Sequence, residues 1–200
     1  SSIKKILKNK KPFSFKGKYF QFKNASTSPK LYKNRSLNCI SAAFSTTGRD
    51  FAIKNCSSLI TMFSNLQALK NQNKILKKKA KKFNSNFKIY ALVNITCAKT
   101  DMIAKKNYLN YFDKLSDQKA IENFIKKLSG GKKSIISKLQ KDQKIKMAAG
   151  IGSYSIIGSP KSVINQINRI KKTGIDGIAI SFLDYEKELN FFLKNIIKEI

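Results

Sequence analysis

"NCISAAFSTTGRDFAIKNCSSLITMF", residues 38–63, joins two short apolar runs through a polar turn and a helix-like segment. Leu37–Phe44 and Leu59–Phe63 are nearly continuous apolar runs rather than alternating ones, which predicts strands buried on both faces and therefore a parallel sheet. Between them Ser45, Thr46, Thr47 and Gly48 break the apolar run, and Arg49, Asp50 and Phe51 open a helical stretch. Strand, turn, helix and strand in that order form one βα unit.

The same alternation continues outward. Phe87–Cys97 (FKIYALVNITC) and Ile175–Phe182 (IDGIAISF) read as two further strands. Leu66, Leu69, Leu76, Ala80 and Phe83 keep helical spacing, with the Lys residues of 70–82 mostly on the other side. Ser159-Pro160 places an N-cap before a proline at the first helical position; Val163, Ile164, Ile167 and Ile170 then form one apolar face, and Gly174 ends it. Asp184 caps a last helix striped by Leu189, Phe192, Leu193, Ile196 and Ile200. All of these stripes read as core. Repeated strand-helix order predicts an α/β fold with right-handed crossovers.

One connection is too long for a simple crossover. Residues 101–158 hold a helix over about 102–127, a Gly130-Gly131 break, a second helical stretch and the Gly-rich GIGSYSIIG of 150–158. This insertion reads as a lid region or a surface excursion within a single domain spanning 1–200. Ahead of the first strand, Phe13, Phe15, Tyr19, Phe20 and Phe22 alternate around Lys16-Gly17-Lys18, the pattern of a β-hairpin packed beside the main sheet.

Composition narrows the chemistry. The chain has no His, and Cys39, Cys56 and Cys97 are widely spaced with no CxxC. That excludes a zinc site of the usual spacing, a Cys-His or Ser-His-Asp set built within these residues, and a disulfide framework. The cysteines read as reduced thiols of a cytoplasmic protein, and no window approaches a membrane span. A net charge of +30 invites a nucleic-acid partner, yet only Arg35, Arg49 and Arg169 of the 41 basic residues are Arg. Bidentate phosphate and base recognition favours Arg, so the excess of Lys, accompanied by Asn and Ile, reads as A/T-rich coding bias on a solvated surface.

The turn at Ser45 to Gly48 is where chemistry concentrates. A helix start leaves backbone N–H groups unpaired and carries partial positive charge, so an anion is stabilised there. Ser and Thr hydroxyls add donors, and glycine permits close approach. Two readings fit these residues: a phosphate pocket, or a plain N-cap at Ser45 or Thr46. The stretch matches neither the dinucleotide fingerprint nor the P-loop.

Taken together, three segments resemble the bacterial luciferase-like, flavin-dependent monooxygenases. "FSFKGKYFQFKNASTSPK" is similar to that family's F-x-G-x-Y/F-F hairpin and following S-P segment. "NCISAAFSTTGRDFAIKNCSSLITMF" is similar to its S-x-x-G-R-x-F-A stretch. "IIGSPKSVINQINRIKKTGIDGIAISF" resembles its G-T/S-P-x-x-V helix and G-x-D/E-G strand. The resemblance runs from about residue 11 to 200 and implies a TIM-type (β/α)8 barrel, of which this chain would supply the last four βα units, a C-terminal portion.

It further implies that Ser45 contacts an FMN phosphate, with Thr46 as helper; that no catalytic residue and no metal ligand can be assigned; and that the partners are a small-molecule substrate, O2, a separate flavin reductase supplying reduced FMN, and a second copy in a homo-oligomer. Sulfonates, sulfones or pyrimidine-like molecules are the expected substrates. The competing expectations are a basic nucleic-acid-binding protein and an inactive half-barrel fragment.

Overall fold

The computed structural model describes residues 2–9, 11–29, 31–32, 37–128, 140–150 and 153–200. A short helix α1 (Ser2–Lys8) precedes the hairpin β1 (Phe13–Lys16) and β2 (Gln21–Ala25), a two-stranded antiparallel sheet of its own. Phe22 stacks on Phe15 at 5.4 Å and meets Phe13 edge-on at 5.7 Å. Tyr19 and Phe20 stand exposed at the turn. A Cβ at Gly17 would fall 2.7 Å from the Phe15 ring, which would have to shift.

The main sheet has five parallel strands: β3 (Ile40–Ala42), β4 (Ser58–Thr61), β5 (Lys88–Cys97), β6 (Tyr154–Gly158) and β7 (Gly177–Ser181). The helices are α2 (Thr46–Asn55), α3 (Leu66–Ala80), α4 (Asp101–Leu109), running on into a π-helical turn over Asn110–Lys114, then α5 (Gln118–Leu128), α6 (Lys141–Ala148), α7 (Pro160–Lys171) and α8 (Tyr185–Asn195). None of them is long and apolar enough to cross a membrane, among the described residues.

The fold is α/β, as the strand-helix alternation predicts, with two differences. The GIGSYSIIG stretch contains a fifth parallel strand, β6, and the helix expected over 102–127 is two helices, α4 and α5, parted after the π turn. Gly130-Gly131 lies outside the described residues.

β5 is the hub. β4 pairs with its Lys88–Ala91 stretch, β7 with Tyr90–Asn94 and β6 with Val93–Cys97. Tyr90 and Ala91 pair with both β4 and β7, and Val93 and Asn94 with both β6 and β7. A strand residue has one partner per edge, so β4 and β6 occupy successive stretches of one edge and β7 the other. Phe63, just past β4, accordingly stacks on Tyr154, which opens β6, at 4.7 Å.

Alternation along these strands separates two faces. Leu59, Ile89, Ala91, Val93, Ile95 and Ile156 are fully buried on one. Against that face pack Ile53 of α2, Leu69 and Leu76 of α3, Val163, Ile167 and Ile170 of α7, and Phe192 and Ile196 of α8. The other face carries Ile40 and Ala42, both exposed, and Ile60, Tyr90, Leu92 and Ala179, partly so. Helices α2, α3, α7 and α8 thus share one face, while α4 and α6 reach the other at β6, where Tyr108 bonds Ser155 and packs with Ile157.

The helical stripes divide accordingly. Val163, Ile167 and Ile170 are core as expected, but Leu189 and Leu193 of α8 and Phe83 beyond α3 are exposed. Periodicity identified an apolar face on α8 wider than the one its neighbours cover.

Candidate functional site

Ser45 ends the β3 segment and caps α2. Its backbone is extended, and its Oγ accepts the Gly48 N–H at 3.1 Å. The reason for Gly48 is packing: a Cβ there would lie 3.1 Å from the Ala43 methyl and 3.2 Å from Ser45 Oγ. The capping role is therefore present in the structure. It leaves the Ser45 hydroxyl proton free to donate outward, and the first turn of α2 contains no acidic residue. Exposed Ser45, Thr46 and Thr47 surround the helix start, a donor set that suits an anionic group such as a phosphate.

Thr46 also lines a space of about 310 Å³ between α2 and α3, with Arg49, Asp50, Gln72, Ile75, Leu76 and Lys79. Lys79 and Asp50 form an ion pair across it at 2.5 Å, and Gln72 donates to Thr61 Oγ1 at 2.8 Å.

A larger cleft, about 640 Å³, opens where β4 stops and β6 begins. Phe63 and Ser64 form one wall, Ser153, Tyr154, Ser155 and Ile157 another, and α4 and α6 close it with Tyr108, Leu109, Ile145 and Met147. Tyr108 and Ser155 share a hydrogen bond of 3.1 Å between their hydroxyls, and burial pushes the Tyr108 phenol up from its ordinary pKa. Ser153 is 2% exposed, and its Oγ has no hydrogen-bond partner among the described residues. These cleft residues carry no sequence motif; the trace they leave is the run of three hydroxyl residues Ser153, Tyr154 and Ser155.

The roof of this cleft is tied down at Asp101, the first residue of α4. Its carboxylate accepts the Ser159 N–H at 2.6 Å and the Ser162 hydroxyl at 3.0 Å, so it caps α7 from another helix. Ser159 is the N-cap by position, but its own side chain makes no capping bond. Those hydrogen bonds, from Ser159 backbone first and then the Ser162 and Ser159 hydroxyls, hold the Asp101 carboxyl below its ordinary range. Gly158, at φ 153°, makes the approach possible, because a Cβ would sit 2.7 Å from Ser162 Cβ and 2.9 Å from Asp101 Oδ1.

The opposite end of the sheet is held by Asp176, which accepts the Ile89 N–H at 2.9 Å and pairs with Lys77 and Lys88 at 3.3 and 3.7 Å. That end is a structural tie.

The cysteines remain thiols. Burial, with Glu188 and Asp101 nearby, pushes Cys97 up to about 11, so it stays protonated and unreactive at neutral pH. No cluster of three or more His, Cys, Asp or Glu able to hold a metal occurs among the described residues.

The family model described as luciferase-like monooxygenase matches residues 1–177. The chain belongs to the luciferase-like monooxygenase family.

Solved structures share the fold of this luciferase-like chain at low identity. A long-chain alkane monooxygenase (LadA) superposes with a TM-score of 0.73 at 22% identity, covering 92% of this chain and 45% of its own. Riboflavin lyase (RcaE), solved with modified FMN and riboflavin, gives 0.75 at 15% identity, covering 94% and 47%. The coenzyme F420-dependent tetrahydromethanopterin reductase of Methanopyrus kandleri gives 0.65 at 15% identity, covering 98% and 60%. The chain thus spans about half the length of these structures. No curated protein sequence matches it significantly.

Proposed function

We propose that this chain is part of an FMN-dependent monooxygenase that uses reduced flavin and O2 to oxygenate a small organic substrate, sulfonate, sulfone or pyrimidine-like. In this reading β3, β4, β5 and β7 are the last four strands of a (β/α)8 barrel, and 101–158 is an insertion over its C-terminal face. The uncovered sheet face is then the barrel interior. The exposed Leu189 and Leu193 of α8 would meet the helix of a neighbouring unit. A separate reductase would supply the reduced flavin, and a homo-oligomer is expected.

The observation that carries the reading is the start of α2, set at the C-terminal end of β3 where barrel enzymes keep their sites. Ser45 would donate to the FMN phosphate, and the first-turn N–H groups with the Thr46 hydroxyl would complete the donor set. FMN, when bound, supplies the redox chemistry with O2. The chain's own part is to fix the phosphate, orient the ring and exclude water.

Capping and phosphate binding separate in one experiment. Ser45→Asp keeps an N-cap acceptor but sets a carboxylate against the phosphate. FMN affinity should fall by about tenfold or more, while riboflavin, which lacks the phosphate, binds as before and helix content is unchanged. Equal FMN binding by the variant and the parent would remove Ser45 from the phosphate site.

A further inference from the structure

We propose that the cleft between β4, β6 and helices α4 and α6 selects an uncharged, mainly apolar molecule by a single hydrogen-bonding group, which Ser153 reads. This deepens the monooxygenase reading and rests on it for the claim that the bound molecule is a substrate; the binding itself does not.

Three observations converge on this class. The first is an unsatisfied hydroxyl. A buried polar atom without a partner is costly, and native proteins pair almost all of them. Ser153 is held where it is by its own turn: its N–H donates to the Gly150 carbonyl at 3.0 Å, and Gly150, at φ 141°, has no room for a Cβ, which would lie 2.8 Å from Ser153 Oγ. Ser153 belongs to the cleft lining, and its hydroxyl, shielded from water, has no protein partner among the described residues, so a ligand group is the partner that would complete it.

The second observation is the remaining wall. Phe63, Leu109, Ile145, Met147 and Ile157 make it mainly apolar; its neutral polar residues besides Ser153 are Ser64, Gln143, Tyr154, and Tyr108 and Ser155, whose hydroxyls share one hydrogen bond. A burial-raised pKa keeps Tyr108 neutral, so it brings no charge.

The third is where charge lies. Asp142 and Lys146 are the charged lining residues, they lie one helical turn apart on α6 at 3.9 Å, and their side chains are 63% and 59% exposed. They belong to the rim. A sulfonate drawn inside would lose its hydration with no buried cation among the described lining residues to replace it, which costs more than the apolar body of a small molecule returns. A sulfone, ketone or neutral heterocycle of the same size meets no such penalty. Among the substrates proposed above, the cleft therefore favours neutral ones.

The chain has no tryptophan, so Leu109→Trp places a single indole reporter in the cleft. Its emission is titrated with hexyl methyl sulfone and with hexanesulfonate, two probes sharing one apolar body and differing in charge. The sulfone should bind saturably and about tenfold tighter than the sulfonate, against the pull of a +30 surface on the anion. Ser153→Ala in the same background should weaken the sulfone about fivefold and leave the sulfonate unchanged. Saturation-transfer NMR on the chain with Leu109 intact repeats the comparison without the reporter.

Sulfonate binding as tight as sulfone, or a sulfone affinity indifferent to Ser153→Ala, overturns the proposal. Neither measurement uses flavin. Failure of FMN to depend on Ser45 would leave this result standing, and failure here would leave the phosphate site standing.

Discussion

The two faces of the parallel sheet meet different fates. On one, Ile89, Val93 and Ile95 are sealed at 0% exposure by α2, α3, α7 and α8. On the other, Ile40 is 55% exposed and Ile60, Tyr90 and Leu92 are partly open. The second face also carries polar residues, and Ser58, Asn94 and Thr96 on it are buried; its open part is the stretch around Ile40, Ala42, Ile60, Tyr90 and Leu92. An apolar stretch of sheet left to water is a site for association.

Two substitutions of the same type probe that contrast. Ile95→Ala removes a side chain packed on every side and should cost about 2–5 kcal/mol of unfolding free energy, measured by urea titration. Ile40→Ala, on the open face, should change it by no more than about 0.5 kcal/mol. Similar losses at the two positions would mean that the open face is covered after all.

A smaller effect separates the two ends of the insertion. Asp101 joins α4 to α7 as a carboxylate whose folded pKa is depressed below its ordinary value of 3.8. Its contribution is therefore present in full above that ordinary value and is lost as pH falls through the depressed one. Amide exchange at the start of α7 should accelerate on acidification across that window. In Asp101→Asn it should already be faster at neutral pH and show less change with acid. A parent and variant with the same acid dependence would remove Asp101 from this tie.

Much of this arrangement is readable from local residues. Ser45 before α2, Pro160 at the first turn of α7, Gly174 beyond that helix and Asp184 before α8 all stand where their chemistry places them, because caps and breakers act within a turn. β6 was not readable, because Tyr154 to Gly158 is short and bounded by glycines. What makes it a strand is distant: β5 runs ten residues against four in β4, and the overhang needs a partner. The exposed half of the α8 stripe fails for a related reason, since a 3.6-residue period shows which side is apolar and not what lies beside it. The large cleft is assembled from β4, β6 and two insertion helices, so no single stretch of sequence announces it. The phosphate-binding role of Ser45 and Thr46 stands as a proposal.

The sharpest test of the open face is sedimentation velocity over a range of protein concentration, comparing the 200-residue chain with Ile40→Lys. The chain should self-associate as concentration rises, and the lysine, set on the open apolar face, should shift it toward the monomer without loss of helix content. A chain that stays monomeric at all concentrations, unaffected by the substitution, would contradict the reading of that face as an interior lacking its cover.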